Sequence, residues 1–182
     1  MLKLNIEGWR LRPLEQKDAD ALQAILAQYD VAKSLTPIPH PFPKGAAQSW
    51  LTEKLKDMRA ENTAFAIVNP QDDVCGNVGF DWSDRGKSIL GYYLDMPYWG
   101  KGLMSDAVAR VLAWLFAHSE LSEVHSGVLE FNRASLALQK RVGFVEVEYG
   151  MEYCAAQECE FPYIGTKLTQ DDFNKMDGGR YA

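Results

Sequence analysis

The sequence lacks any apolar run long enough to cross a membrane, which takes about 20 consecutive apolar residues. Its first residues, MLKLNIE, place Lys3 and Glu7 where a secretory signal needs an uninterrupted apolar core. We therefore expect a protein that does not associate with membranes and resides in the cytoplasm.

Cysteine and histidine are both scarce, with three residues of each. Cys154 and Cys159 have four residues between them, which matches none of the common zinc or redox spacings, and Cys75 is far away in the chain. The histidines are scattered and have no ligand partners at metal-binding spacing. We expect reduced thiols and no bound metal.

A basic excess is also missing. The formal net charge is −6, which argues against a general affinity for nucleic acid, because phosphate backbones are bound by concentrated positive charge. The length of 182 residues and the 47 % hydrophobic content are sufficient for the core of one domain. We expect a single domain over residues 1–182, with a peripheral tail at 171–182.

The spacing of apolar residues predicts both helices and strands. The predicted order is a strand, two helices, three strands in a meander, a helix, a strand, a helix and two strands. The second helix is predicted within Lys44 to Ala60, after a proline-rich loop (37–43) whose Ile38 and Phe42 are expected to line a pocket. This order is typical of an α/β fold with a mixed sheet and helices on both faces.

The segment YWGKGLMSDA (98–107) places Gly100 and Gly102 directly before a long amphipathic helix. Glycines allow unusual torsions, and the free N–H groups at a helix N-terminus attract anions. A plain turn from strand to helix is the alternative. No third glycine completes a dinucleotide fingerprint, and Lys101 is not followed by Ser or Thr as in a P-loop.

The surrounding sequence resembles the GNAT acetyltransferase superfamily, and within it the RimL/RimJ type. The resemblance rests on Tyr92 to Asp95 at a strand end, on the Gly100 and Gly102 loop, on Asn132 with Ser135 opening a second helix, and on Gly143-Phe144. It implies the GNAT fold, a mixed and mostly antiparallel sheet that is splayed between two central strands.

The resemblance also implies acetyl-CoA as cosubstrate. Its pyrophosphate would lie on Trp99 to Met104, its pantetheine arm would run beside Leu94 and Asp95, and Asn132 would bond this arm. Ser135 would lie near the thioester sulfur. The implied binding residues are Leu94, Asp95, Trp99, Gly100, Lys101, Gly102, Leu103, Met104, Asn132 and Ser135.

In such enzymes the amine attacks the thioester directly. Many members protonate the departing sulfur with a tyrosine of the second motif helix, where this sequence has Leu138 and Gln139. Ser135 matches the serine that RimL-like members use, and its alternative role is a helix-capping serine. Glu152 is the first choice for the general base.

Two further carboxylates, Asp81 and Glu130, are ranked behind Glu152 as bases. The predicted reaction is acetylation of an amine, with the N-terminal α-amino group of a ribosomal protein, for example an N-terminal serine, as the leading acceptor. The alternatives are a small-molecule amine and a non-catalytic acyl-CoA-binding module. A second copy of the chain is a further partner compatible with the resemblance.

Overall fold

The computed structural model describes residues 1–83 and 85–177. Its strands and helices confirm the predicted order and add the short strand β1 and the helices α2 and α6. The strands are β1 (Leu2–Lys3), β2 (Arg10–Pro13), β3 (Ala64–Val68), β4 (Val74–Trp82), β5 (Ser88–Leu94), β6 (Glu123–Leu129), β7 (Val145–Cys154) and β8 (Cys159–Thr169). The helices are α1 (Ala19–Leu26), α2 (Tyr29–Ala32), α3 (Ala46–Lys54), α4 (Leu103–His118), α5 (Arg133–Val142) and α6 (Gln170–Asp177).

The eight strands form one sheet in the order β1-β2-β3-β4-β5-β6-β8-β7. Neighbouring strands are antiparallel except β5 and β6, which are parallel and share one registered pair, Ile89 with His125. By contrast, β4 and β5 pair over seven positions. The sheet is therefore splayed between β5 and β6, as the GNAT fold requires.

Both faces of the sheet are covered, and β3 shows why. Its five residues are all buried, and alternate side chains enter two different apolar clusters. Phe65 and Ile67 pack in the cluster that contains helix α4, while Ala64, Ala66 and Val68 pack against residues of α1 and α3. The predicted α/β class with helices on both faces is confirmed.

Two predictions of local structure differ from the fold. Helix α3 ends at Lys54 rather than near Ala60, and Met58 of the predicted apolar stripe stays 36 % exposed. The segment predicted as a peripheral tail begins with α6, whose Phe173 is buried and packs on Phe116 of α4, 5.7 Å between ring centroids. Residues 178–182 of that tail lie outside the described residues.

The splay determines where ligands can enter. β5 and β6 run parallel, so their C-terminal ends lie at the same edge of the sheet, beyond the single pair of Ile89 and His125. Helix α4 follows the end of β5 after a short 3-10 turn (Met96–Tyr98), and helix α5 follows the end of β6. Both helix N-termini therefore lie beside the opening between the strands, a frequent position for ligand sites in α/β proteins.

Within residues 1–83 and 85–177 no helix is long and apolar enough to span a membrane. The His, Cys, Asp and Glu side chains of the same residues form no group of three that could hold a metal ion. The three cysteines are free thiols, with Cys75 and Cys154 buried and Cys159 exposed.

Candidate active site

A cavity of about 500 Å³, called here the first cavity, opens between the diverging strands β5 and β6. Its walls come from the end of β5, the loop before α4, the middle of β6 and the first turns of α5. Nine of the ten predicted cofactor-binding residues line it: Leu94, Trp99, Gly100, Lys101, Gly102, Leu103, Met104, Asn132 and Ser135.

Asp95, the tenth predicted residue, lies outside this lining. Its backbone N–H donates to the carbonyl of Cys75, and its Oδ1 accepts a hydrogen bond from Gln28 Nε2 at 2.8 Å. Asp95 therefore ties the end of β5 to β4 and to the segment between α1 and α2. Its carboxylate stabilises the wall of the first cavity from outside.

The loop before α4 has the geometry of an anion cradle. Gly100 and Gly102 have φ angles of +72° and +78°, which only glycine adopts without strain, and no atom lies within 4 Å of the position of an added Cβ. Gly102 immediately precedes the 16-residue helix α4, whose first N–H groups have no acceptor within the helix. Trp99 holds the loop in place, because its Nε1 donates to the Leu94 carbonyl at 2.6 Å.

Two positively charged side chains also line the first cavity. Lys101 lines it, with its Nζ 5.5 Å from the centre of the Tyr98 ring, and Arg141 lines it from the last turn of α5. Sequence reasoning missed Arg141, because nothing in the local sequence indicates that α5 turns this residue toward the cavity. Open glycines, a helix N-terminus and two cations together fit the phosphate groups of acetyl-CoA.

Asn132 and Ser135 open helix α5, and the structure separates their roles. Asn132 is the N-cap, and its Oδ1 accepts a hydrogen bond from the backbone N–H of Ser135 at 3.1 Å. The Ser135 hydroxyl instead lies 2.7 Å from the hydroxyl of Tyr92 on β5. The capping role considered for Ser135 therefore belongs to Asn132, and the serine hydroxyl lines the first cavity.

Tyr92 is a site residue that the sequence marked only as part of a motif. Its hydroxyl also accepts a hydrogen bond from Gln139 Nε2 of α5 at 3.3 Å. Burial raises the pKa of Tyr92, although the hydrogen bonds with Ser135 and Gln139 act in the opposite direction. The hydroxyl therefore keeps its proton at neutral pH.

A second cavity of about 440 Å³ shares seven lining residues with the first, on β5, β6 and the loop after α2. The shared residues are Ser34, Leu35, Leu90, Gly91, Tyr92, Tyr93 and Gly127. The two cavities therefore border the same stretch of β5 and β6. Ile38 and Phe42 of the proline-rich loop line the second cavity, which confirms that prediction.

The walls of the second cavity are mostly apolar and aromatic. Lys54 contributes a buried cation, but its Nζ is bonded to the Phe80 carbonyl at 2.6 Å, to Asn62 Oδ1 at 2.7 Å and to Asp81 Oδ1 at 2.6 Å. The charge of Lys54 is thus compensated by Asp81. Burial raises the pKa of Tyr93, which also lines this cavity.

Tyr163 of β8 reaches the gap between the central strands. A Cβ added to Gly127 would lie 1.5 Å from the Tyr163 hydroxyl, so only glycine at 127 leaves room for this ring. Burial raises the pKa of Tyr163, and the charges of Glu152 and Glu148 raise it further. The tyrosine therefore connects the second cavity with a negatively charged strand, β7.

The three candidate bases occupy different positions. Asp81 lines the second cavity and is the partner of Lys54. Glu152 is exposed on β7, opposite Phe161 of β8, and lies near enough to Tyr163 to affect its pKa. Glu130 lies at the end of β6, 3.5 Å from Arg133 Nη2 in an exposed ion pair. Of the three, Asp81 is the one in a cavity wall.

Comparison with known proteins agrees with this geometry. The family described as acetyltransferase (GNAT) domain matches residues 9–145. The uncharacterized N-acetyltransferase p20 of Bacillus licheniformis is 29 % identical over 149 residues, which cover 79 % of this chain and 83 % of p20.

Two solved structures share the fold at low sequence identity. The ribosomal-protein-S5-alanine acetyltransferase of Vibrio fischeri has a TM-score of 0.77 and 23 % identity, over 95 % of this chain and 99 % of that one. The spermidine N-acetyltransferase of Vibrio cholerae, solved with CoA and spermine, has a TM-score of 0.75 and 16 % identity, over 91 % of this chain and 98 % of that one.

Proposed function

Because the chain belongs to the GNAT acetyltransferase family and takes its acetyl group from acetyl-CoA, we propose that it acetylates the α-amino group of a protein N-terminus. The proposed acceptor is a ribosomal protein, as in RimL/RimJ-type enzymes. The solved acetyltransferases that share the fold act on different acceptors by name, a ribosomal protein alanine in one and spermidine in another. The choice between them therefore has to come from the acceptor site.

The first cavity is the proposed donor site. Backbone N–H groups from Gly100 to Met104 would bind the pyrophosphate, with Lys101 and Arg141 adding positive charge. Asn132 uses its amide oxygen as the helix cap, so its Nδ2 is the group that would donate to the pantetheine arm. Ser135 would donate a hydrogen bond to the sulfur as negative charge develops there. Bound acetyl-CoA supplies the acetyl group as an activated thioester.

The second cavity is the proposed acceptor site, because it adjoins the first along β5 and β6 and shares seven lining residues with it. The amine nitrogen forms a bond to the acetyl carbon, and the carbon–sulfur bond breaks with its electron pair passing to sulfur. One proton leaves the amine and one is finally gained by the sulfur, so the reaction needs no other reactant. An α-amine has a reference pKa of about 7.7–8.0, so a weak base is sufficient near neutral pH.

Glu152 is our proposed base, acting through water beside Tyr163. The support is that Tyr163 reaches the cavity and that the charge of Glu152 raises its pKa. Asp81 is the alternative. It lines the second cavity, but its carboxylate is held in an ion pair with Lys54 at 2.6 Å.

The observation that carries the choice of acceptor is the charge of the second cavity. Among the described residues that line it, Asp81 is the only carboxylate and Lys54 compensates it. A polyamine has several positive charges and would need several carboxylates. A peptide N-terminus has one amine next to a backbone and a side chain, and it fits walls built of Phe42, Ile38 and Tyr93.

The test is an acceptor screen that follows free thiol release and product mass. Purified protein is given acetyl-CoA with peptides that begin in serine or alanine, with small monoamines, and with spermidine. We expect peptide acetylation at the α-amine and at most slow transfer to spermidine. Faster transfer to spermidine or to a small monoamine would contradict the proposed acceptor. Acetyl-CoA binding without turnover on any amine would favour the non-catalytic module.

A further inference from the structure

Gln139 stands in α5 where many members of the family have their proton-donating tyrosine. Its side chain is 1 % exposed, and its amide is bonded on both sides. The Nε2 group donates to Ser126 Oγ at 2.9 Å and to the Tyr92 hydroxyl at 3.3 Å, while Oε1 accepts from Thr166 Oγ1 at 2.6 Å. Gln139 therefore does more than replace the tyrosine, because it lies at the centre of a buried hydrogen-bond network.

The direction of this network is determined at one end by a backbone carbonyl. The Ser126 hydroxyl is bonded to the Leu90 carbonyl at 2.9 Å, and a carbonyl can only accept. The Ser126 hydroxyl therefore donates its single proton to the Leu90 carbonyl, and its oxygen accepts a hydrogen bond from Gln139. This requirement orients the amide, so that Nε2 and not Oε1 faces both Ser126 and Tyr92.

The same reasoning carries the direction to the first cavity. Tyr92 accepts from Gln139, so its one proton is directed to the remaining partner, Ser135 Oγ, at 2.7 Å. Ser135 Oγ is then an acceptor toward Tyr92, and its own proton points to another partner. Ser135 lines the first cavity, so that proton is available to a group bound there.

We propose that Tyr92 and Gln139 are positioning residues that hold the Ser135 hydroxyl with its proton directed into the first cavity, toward the departing sulfur. The inference rests on the proposed function, which assigns the sulfur to this place. It also accounts for the absence of a tyrosine at 138 or 139, because β5 supplies a tyrosine hydroxyl that acts through Ser135. The hydrogen bonds run in one direction from Gln139 through Tyr92 to Ser135, so the Ser135 hydroxyl is the donor of this series that is left for a group bound in the first cavity.

The first test measures the thiol of bound CoA and needs no acceptor. Bound CoA is titrated in the wild type, Tyr92→Phe and Ser135→Ala, and thiolate is followed by its ultraviolet absorbance. We expect Ser135→Ala to lower the thiolate fraction at a given pH by roughly tenfold, because a hydrogen bond to the anion is lost. Tyr92→Phe should lower it as well, because the Ser135 proton is no longer directed to the sulfur. Lys101 and Arg141 are present in every variant, so their charges do not affect the difference.

The second test is a double-mutant cycle on acetyl transfer. Tyr92→Phe should lower kcat by roughly tenfold and change the Kd of acetyl-CoA less than twofold. In a Ser135→Ala background the same substitution should change kcat less than twofold, because Tyr92 then has no serine to orient. Tyr149→Phe is the matched control, since Tyr149 is 71 % exposed on β7 and its hydroxyl bonds Glu146.

Three outcomes would overturn the inference in distinguishable ways. If the losses in Tyr92→Phe and Ser135→Ala multiply in the double variant, Tyr92 acts independently of Ser135. If Ser135→Ala lowers the bound thiolate fraction and Tyr92→Phe does not, the positioning role alone is wrong. If neither substitution changes the thiolate fraction or kcat, the proposed role of Ser135 fails as well. A wrong acceptor assignment would leave the CoA titration unaffected.

Discussion

The two cavities that meet between β5 and β6 are built in different ways. The first cavity takes most of its walls from two short segments, residues 90–105 and 126–141, and its anion cradle consists of backbone. The second takes side chains from α1, the proline-rich loop, α3 and five strands, spread from Leu26 to Tyr163. Local backbone conformation makes the anion cradle of the first cavity, whereas tertiary packing makes the second cavity.

The largest effect is expected at the start of helix α1, whose Leu26 lines the second cavity. Arg12 of β2 forms a two-pronged ion pair with Asp18, at 2.7 and 2.8 Å, just before helix α1. Asp18→Asn should lower the free energy of unfolding by about 3 kcal/mol, because it removes the nearest counter-charge of the buried Arg12 and leaves only the exposed Glu15 carboxylate at 3.7 Å. Urea unfolding measures the loss, and Asp20→Asn, at an exposed position of α1, is the control.

The same ion pair predicts a dependence on pH. Burial alone would raise the pKa of Asp18, but hydrogen bonds from Arg12 and from the Glu15 backbone outweigh it and lower the pKa. The contribution to stability is therefore present above the ordinary carboxyl pKa of about 3.9 and is lost as pH falls through the lowered value. In Asp18→Asn, the free energy of unfolding should therefore fall less between neutral and acidic pH than in the wild type. An equal fall in both proteins would contradict the role given to Asp18.

A smaller effect is expected at two glycines of equal backbone geometry, one near each cavity. Gly102 precedes α4 at the first cavity and Gly45 precedes α3 near the second, both with φ of +78° and open space around an added Cβ. Valine at either position should cost about 1–2 kcal/mol of folding stability. Gly102→Val should also raise the KM for acetyl-CoA by roughly tenfold. Gly45→Val should not, and equal effects on that KM would contradict the donor assignment.

The smallest effect concerns the acceptor wall. Phe42 packs with residues of α1 and lines the second cavity. Phe42→Ala should raise the KM for the peptide acceptor by about fivefold, because roughly 1 kcal/mol of apolar contact is lost. The KM for acetyl-CoA should stay constant. If Phe42→Ala raised only the KM for acetyl-CoA, the second cavity would be the donor site and the proposed assignment would be wrong.

Most of the fold could be predicted from the sequence. Strands β3 to β5 have continuous or alternating apolar patterns and turn residues between them, and α4 has a broad apolar stripe, so local rules were sufficient. Strand β1 has two residues, and α6 has only two apolar residues, Phe173 and Met176. Their apolar patterns are too short to predict an element. Strand β1 forms by pairing with β2, and α6 is held by Phe173, which packs on Phe116 of α4.

Sequence reasoning also named most of the residues that the structure brings to the wall of the first cavity, with Asp95 as the exception. Asp95 follows β5 directly, but a hydrogen bond from Gln28 holds its carboxylate outside the lining of the first cavity. Arg141 and Tyr163 were missed for the opposite reason. Their functional neighbours lie tens of residues away, and only the packing of α5 and β8 against the central strands brings them to the cavities.

The sequence by itself determined the order of the main elements and the glycine loop before α4, because both depend on backbone torsions and on residues a few positions apart. The tertiary structure alone decided that the Ser135 hydroxyl meets Tyr92 rather than capping its helix. It also decided that the two cavities share lining residues on β5 and β6, among them Gly127. These features need strands and helices from distant parts of the chain, and no local pattern specifies which side chains they bring into contact.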